Sequence, residues 1–123
     1  MARILIVDDS PTETFKITEI LNKNGHQVIS ASGGEEGVAI AKKELPDLIL
    51  MDVVMPGING FQATRQITKN PSTAHIPVVI VTTKDQETDR MWGMRQGASS
   101  FLTKPLNEKA LVQAVNTALA AGK

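Results

Sequence analysis

The hydrophobic residues of this chain fall into short continuous runs separated by longer, mixed segments. Runs such as Ile4–Val7 and Val78–Val81 are apolar at successive positions, which is typical of strands buried on both faces of a sheet. The mixed segments carry their apolar residues on one side, as amphipathic helices do. The pattern therefore predicts five strands, each followed by a helix, at about residues 3–7, 27–31, 47–51, 78–81 and 99–103.

Local signals at the helix ends support these elements. Ser10 to Glu13 has the spacing of a capping box with proline at the first helical position, and Ser32 to Glu35 repeats that spacing. The first helix is expected to end near Gly25, and a later one to cover Asp85 to Gln96. The apolar side of the first helix is assigned to Phe15, Ile17, Ile20 and Leu21.

Strands that alternate with helices in this way form a (βα)5 pattern of the α/β class. Such a pattern implies a parallel sheet with right-handed crossovers and helices on both faces. These rules leave the order of the strands open. They do bring the carboxyl ends of the strands to one edge, where open sheets of this class bind their ligands.

The residues at the ends of four strands suggest what that ligand is. They are Asp8 and Asp9, Asp52, Thr82, and Lys104 with Pro105. Three carboxylates could hold a divalent cation, with one member of the adjacent pair acting directly and the other through water. A lysine and a threonine beside them could hold an anion, which indicates a Mg2+-dependent phosphoryl site.

Each of these residues also has an ordinary structural explanation. The aspartate pair could form a turn, Asp52 and Lys104 could be solvated charges, and Thr82 could cap the next helix. The combination is more specific because it arises from four separate segments. In that combination Asp52 could attack phosphorus and form an acyl phosphate, while Lys104 and Thr82 bind the phosphoryl oxygens.

Composition narrows the classes of function. The 123 residues suit one domain, and 13 basic residues balance 13 acidic ones with no basic run and few aromatics, which argues against direct nucleic-acid binding. No apolar run approaches the roughly 18 residues of a membrane span, no signal peptide is recognisable, and there is no cysteine. We therefore expect a single cytoplasmic domain over residues 1–123, with no effector domain and no membrane insertion.

At these strand ends the chain resembles the receiver domain of two-component response regulators. The resemblance covers nearly the whole length and rests on Asp8-Asp9, Asp52 with Met55-Pro56-Gly57 and Gly60, Thr82, and Lys104-Pro105. It implies a flavodoxin-like, doubly wound five-stranded parallel sheet in the order 2-1-3-4-5. It also implies a signalling protein rather than a conventional enzyme.

The resemblance assigns the acceptor and the metal ligands. It implies that Asp52 is the phosphoacceptor and that Asp9, Asp52 and the backbone carbonyl of Val54 bind Mg2+. Asp8 would act mainly through water. The phosphoryl donor would be a phosphohistidine on a sensor histidine kinase.

The resemblance also assigns the residues that respond to phosphorylation. It implies that Thr82 is the switch hydroxyl, that Phe101 occupies the position of the switch aromatic, and that Lys104 contacts the phosphoryl group. The peptide bond between Lys104 and Pro105 is a candidate for the cis form.

A narrower resemblance, to stand-alone receivers of the type IV pilus chemosensory system, is carried by MARILIVDDSPTE, VMPGINGFQATRQITK and VTTKDQETDRMWGMRQGA. It implies a regulator of twitching motility that contacts a pilus-system or other downstream protein. A flagellar chemotaxis-type receiver and a phosphate sink that drains a shared kinase are alternatives. A small aspartyl phosphatase is disfavoured because Val54 cannot supply its second carboxylate, and the complete acidic set argues against a binding module with a degenerate site.

Overall fold

A computed structural model describes residues 1–121, which form five strands alternating with five helices. The predicted number and order of elements are confirmed, and each strand begins within one residue of its predicted start. The strands are β1 (Arg3–Val7), β2 (Gln27–Ala31), β3 (Leu48–Met51), β4 (Val78–Thr82) and β5 (Ser100–Thr103). The helices are α1 (Pro11–Lys23), α2 (Gly34–Glu44), α3 (Gly60–Lys69), α4 (Glu87–Arg95) and α5 (Glu108–Ala121).

The five strands form one parallel sheet in the order β2-β1-β3-β4-β5. This confirms the flavodoxin-like, doubly wound α/β fold. Val7 of β1 lies beside Met51 of β3, and Thr82 of β4 lies beside Thr103 of β5. The residues at and just beyond these positions therefore meet at one edge of the sheet.

Alternate side chains of the strands pack into two hydrophobic layers, one on each face of the sheet. Ile4 and Ile6 pack with α1 and α5, where they contact the cluster that contains Leu111. Leu5 and Val7 point to the other face and pack with α2 and α3. Strands β3 and β4 are buried at every position, which explains their unbroken apolar runs. None of the described helices is long and apolar enough to cross a membrane.

Three local predictions are wrong. Helix α2 has Gly33 at its N-cap without a side-chain cap, because both the N–H and the hydroxyl of Ser32 donate to the Glu36 carboxylate. Phe15 is 66% exposed, since residues two apart on a helix cannot share a face with Ile17. Helix α4 begins two residues after Asp85, where the Asp89 side chain accepts a hydrogen bond from the preceding Gln86 N–H.

Candidate functional site

Three carboxylates lie together at the carboxyl edge of the sheet. Asp8 and Asp9 follow β1 and Asp52 follows β3, and one oxygen of each lies within 4.8 Å of the others. Asp8 and Asp52 are buried, whereas Asp9 is exposed, so the cluster opens to solvent on one side. The parallel topology thus brings together the three acidic residues that the sequence singled out.

Asp52 lies at the turn where the chain leaves β3 and enters the loop to α3. Its Oδ1 accepts a hydrogen bond of 2.8 Å from the Val53 N–H, which fixes the carboxylate plane. Gly60 packs directly against this turn, and a Cβ there would collide with the Asp52 carbonyl oxygen and lie 2.7 Å from the Val53 Cα. Burial raises the pKa of the Asp52 carboxyl; the Lys104 charge opposes that rise and the Asp8 charge adds to it.

Asp8 is committed to two partners within the protein. Its Oδ1 accepts a 2.9 Å hydrogen bond from the Ser10 N–H, and its Oδ2 accepts a 2.8 Å bond from the Lys104 ammonium. Asp8 is only 5% exposed, so its orientation is set by these bonds rather than by water. Asp9 is the solvent-facing carboxylate of the pair.

Lys104 is the cation at the centre of the site. Its side chain is 9% exposed, and its Nζ lies 2.8 Å from Asp8, 3.7 Å from Asp52 and 3.9 Å from Glu13. Burial alone would lower the pKa of the ammonium, but the hydrogen bond to Asp8 and the surrounding carboxylates raise it. Lys104 therefore remains charged at neutral pH and can pair with an anion that reaches Asp52.

Thr82 and Phe101 connect this edge to α4. The buried Thr82 hydroxyl accepts a 3.3 Å hydrogen bond from the Lys84 N–H, in the loop that leads to α4. Its carbonyl accepts a 2.8 Å bond from the Lys104 N–H, which joins β4 to the loop after β5. The partly buried Phe101 ring packs on the α4 side, in a cluster that includes Val53.

Two further residues of interest flank the carboxylates. The peptide bond between Lys104 and Pro105 is cis. Val54, two positions after Asp52, has a side chain that is 54% exposed at the rim of the site.

The donor set fits Mg2+. This ion binds carboxylates together with waters and phosphate oxygens, and here three carboxylates converge with one facing solvent. Asp9 and Asp52 could hold the ion, with Asp8 close by. When bound, Mg2+ would offset the repulsion between Asp52 and an incoming phosphoryl group.

Sequence reasoning missed the place of Glu13 in this site. Its predicted side-chain bond to the Ser10 N–H is wrong, because Asp8 occupies that donor. Ser10 still accepts from the Glu13 N–H at 3.3 Å, so half of the capping box forms. The freed Glu13 carboxylate reaches Lys104 instead. Glu13 stands at the position that a capping box requires. The sequence therefore gave no signal that its carboxylate contacts Lys104 instead of the Ser10 N–H.

A doubly wound sheet with an acidic cluster and a buried lysine at its carboxyl edge has the architecture of a receiver domain. Residues 4–116 match the response regulator receiver domain family, and the chain belongs to that family. It is 63% identical to Protein PilH of Pseudomonas aeruginosa over 120 residues, and this alignment covers 98% of this chain and 99% of that protein. It is 41% identical to the response regulator PleD of Caulobacter vibrioides, over 94% of this chain but only 26% of PleD.

Solved structures agree with this assignment. The CheY-like response regulator receiver domain protein of Methanospirillum hungatei superimposes with a TM-score of 0.92 at 25% identity, covering 99% of this chain and 96% of that one. The chain is therefore a receiver-domain response regulator. Such domains act in signalling rather than as conventional enzymes, bind Mg2+ at an acidic pocket and take their phosphoryl group from a kinase partner.

Proposed function

We propose that this protein is a Mg2+-dependent phosphoacceptor switch in which Asp52 receives the phosphoryl group. The observation that carries the proposal is the set of charged groups around Asp52. Asp52 is 8% exposed, its carboxylate lies in the three-carboxylate cluster, and the Lys104 Nζ is 3.7 Å from its Oδ2. A nucleophile, a cation site and a fixed positive charge are the parts that phosphoryl transfer requires.

The other residues have distinct roles in this proposal. Asp9, Asp52 and the Val54 carbonyl ligate Mg2+, and Asp8 acts mainly through water. Lys104 binds one phosphoryl oxygen, and the Thr82 hydroxyl moves to bind another.

Phe101 passes this change to the surface. Because it has no hydroxyl, its part in the switch depends on burial alone. It already packs against the hydrophobic cluster that contains Val53, the residue after Asp52, and Ile80 of β4.

In the cell, the proposed donor is a phosphohistidine on a chemosensory-type sensor kinase, and the output is a change in protein–protein contacts. Near-full-length similarity to PilH, together with the resemblance to stand-alone pilus-system receivers, supports a cytoplasmic single-domain regulator of type IV pilus twitching motility. The downstream target is a pilus-system or other protein.

Covalent labelling tests the acceptor. Purified protein is incubated with Mg2+ and acetyl phosphate and analysed by intact mass. One phosphoryl group should attach to the wild type and none to Asp52→Asn, which keeps the side chain nearly isosteric. Asp85→Asn is the matched control, because Asp85 lies in the exposed loop before α4 and should label normally.

Two outcomes would count against the proposal. Normal labelling of Asp52→Asn would exclude Asp52 as the acceptor, and an unlabelled wild type would exclude the phosphoacceptor function. Twitching by cells that express only the Asp52→Asn form tests the cellular role. Timed transfer from a chemosensory kinase, in competition with a second receiver, separates an active output from a phosphate sink.

A further inference from the structure

Glu13 is a fourth carboxylate at the site, and its contact there is with Lys104. It lies at the third position of α1, and its Oε1 is 3.9 Å from the Lys104 Nζ. It is not part of the cluster formed by Asp8, Asp9 and Asp52. Its side chain is 27% exposed against 9% for Lys104, so the contact is partly shielded from water.

The Lys104 ammonium faces three carboxylates, and two of them, Asp52 and Glu13, lie at nearly equal distance from it. Asp8 holds it by a hydrogen bond, while Asp52 lies at 3.7 Å and Glu13 at 3.9 Å, each close enough for attraction but too far for a hydrogen bond. Attraction to the Glu13 carboxylate competes with the attraction of the Lys104 ammonium to an incoming phosphoryl group. The Glu13 charge also repels that group directly.

We propose that Glu13 is a positioning residue that holds the Lys104 ammonium partly away from Asp52 and thereby slows phosphorylation of Asp52. This inference depends on the phosphoacceptor function proposed above. Both effects of the Glu13 charge act in the same direction, so neutralising it should accelerate phosphorylation. One unit charge acting across a partly solvated site changes a rate by about threefold to tenfold.

The test measures the rate of Asp52 phosphorylation by acetyl phosphate at saturating Mg2+. A small donor is used because it makes no contact with the outer surface of α1. We expect Glu13→Gln to react about threefold to tenfold faster than the wild type. Glu13→Asp keeps a carboxylate on the same helical turn and should stay close to the wild-type rate.

Glu19→Gln is the matched control, since it makes the same charge change on the exposed surface of α1 and should leave the rate unchanged. Salt separates an electrostatic effect from a structural one. The rate increase caused by Glu13→Gln should shrink as the KCl concentration approaches about 1 M, where the Debye length is about 3 Å.

Each contrary outcome overturns the inference. These outcomes are a Glu13→Gln rate equal to or below wild type, an equal acceleration by Glu13→Asp or Glu19→Gln, and an advantage that salt does not change. In all of them the wild type is still phosphorylated, so the phosphoacceptor function stands. An unlabelled wild type would overturn both.

Discussion

Replacing Lys104 by methionine should strongly destabilise the metal-free protein, because the change leaves a buried carboxylate without its cation. The side chains of Lys104 and Asp8 are 9% and 3% exposed, and the Lys104 Nζ lies 2.8 Å from the Asp8 Oδ2, so they form a buried ion pair. Removing one partner of such a pair costs about 3–5 kcal/mol. Because Asp9 is exposed and admits water to the cluster, we expect the lower value, about 3 kcal/mol.

Urea unfolding at neutral pH, followed by circular dichroism, measures this cost. The first series contains a chelator, and the second contains excess Mg2+. A bound divalent cation would compensate Asp8 and Asp52, which lose the Lys104 charge in the variant, so the difference in unfolding free energy between variant and wild type should narrow in the second series. Lys84→Met is the matched control. Its 4.0 Å pair with Asp89 is partly exposed and should contribute less than about 1 kcal/mol.

The pH dependence gives an independent check. The folded state raises the pKa of Lys104, so its contribution to stability is complete below the ordinary lysine pKa of 10.5 and is lost as the pH rises through the folded value. The cost of Lys104→Met should therefore be constant near neutrality and shrink only in strongly alkaline solution. Equal costs for Lys104→Met and Lys84→Met, or a difference that Mg2+ leaves unchanged, would refute the reasoning.

Three other measurements address the metal ligands, the switch aromatic and the N-terminus. Calorimetry should show that Asp9→Ala weakens Mg2+ binding more than Asp8→Ala, because Asp8 is already bonded to protein donors; equal, unchanged affinities would contradict the site. Phe101→Ala should leave phosphorylation intact but reduce the NMR changes in α4 that accompany it, and wild-type changes confined to the acidic loops would exclude this relay. His26 accepts a 3.2 Å hydrogen bond from the Ala2 N–H, and burial and the N-terminal charge lower its pKa. The free energy of unfolding, measured with urea, should therefore fall from about pH 7.5 to about pH 5.5 in the wild type and should fall less in His26→Gln. Identical pH slopes would exclude that contribution.

The fold was predictable because its central strands are buried on both faces. Continuous apolar runs identify β3 and β4. The alternation of strands with helices then predicts a parallel sheet, because each helix forms the crossover between two parallel strands. The site was predictable for the same reason, since a parallel sheet carries the ends of β1, β3, β4 and β5 to one edge.

The directions of individual side chains were less predictable. Lys104 contacts Asp8 across 96 positions of sequence, and no local pattern indicates which carboxylate it prefers. Glu13 satisfies a local capping rule, but tertiary contacts with Lys104 and the competing Asp8 bond to Ser10 decide where it points. The capping box predicted at Ser32 is wrong for a similar reason, because the Ser32 N–H donates to Glu36 instead of to Glu35.

The contact between Gly60 and the turn at Asp52 limits how this domain can be re-engineered. Every side chain larger than hydrogen at position 60 meets main-chain atoms that cannot rotate away, so that position offers no gradual route to altered kinetics. Val54, only two residues beyond Asp52, is about half exposed. Substitutions near the acceptor are therefore better placed at Val54, whose exposure leaves room for changes in size and polarity, than at Gly60.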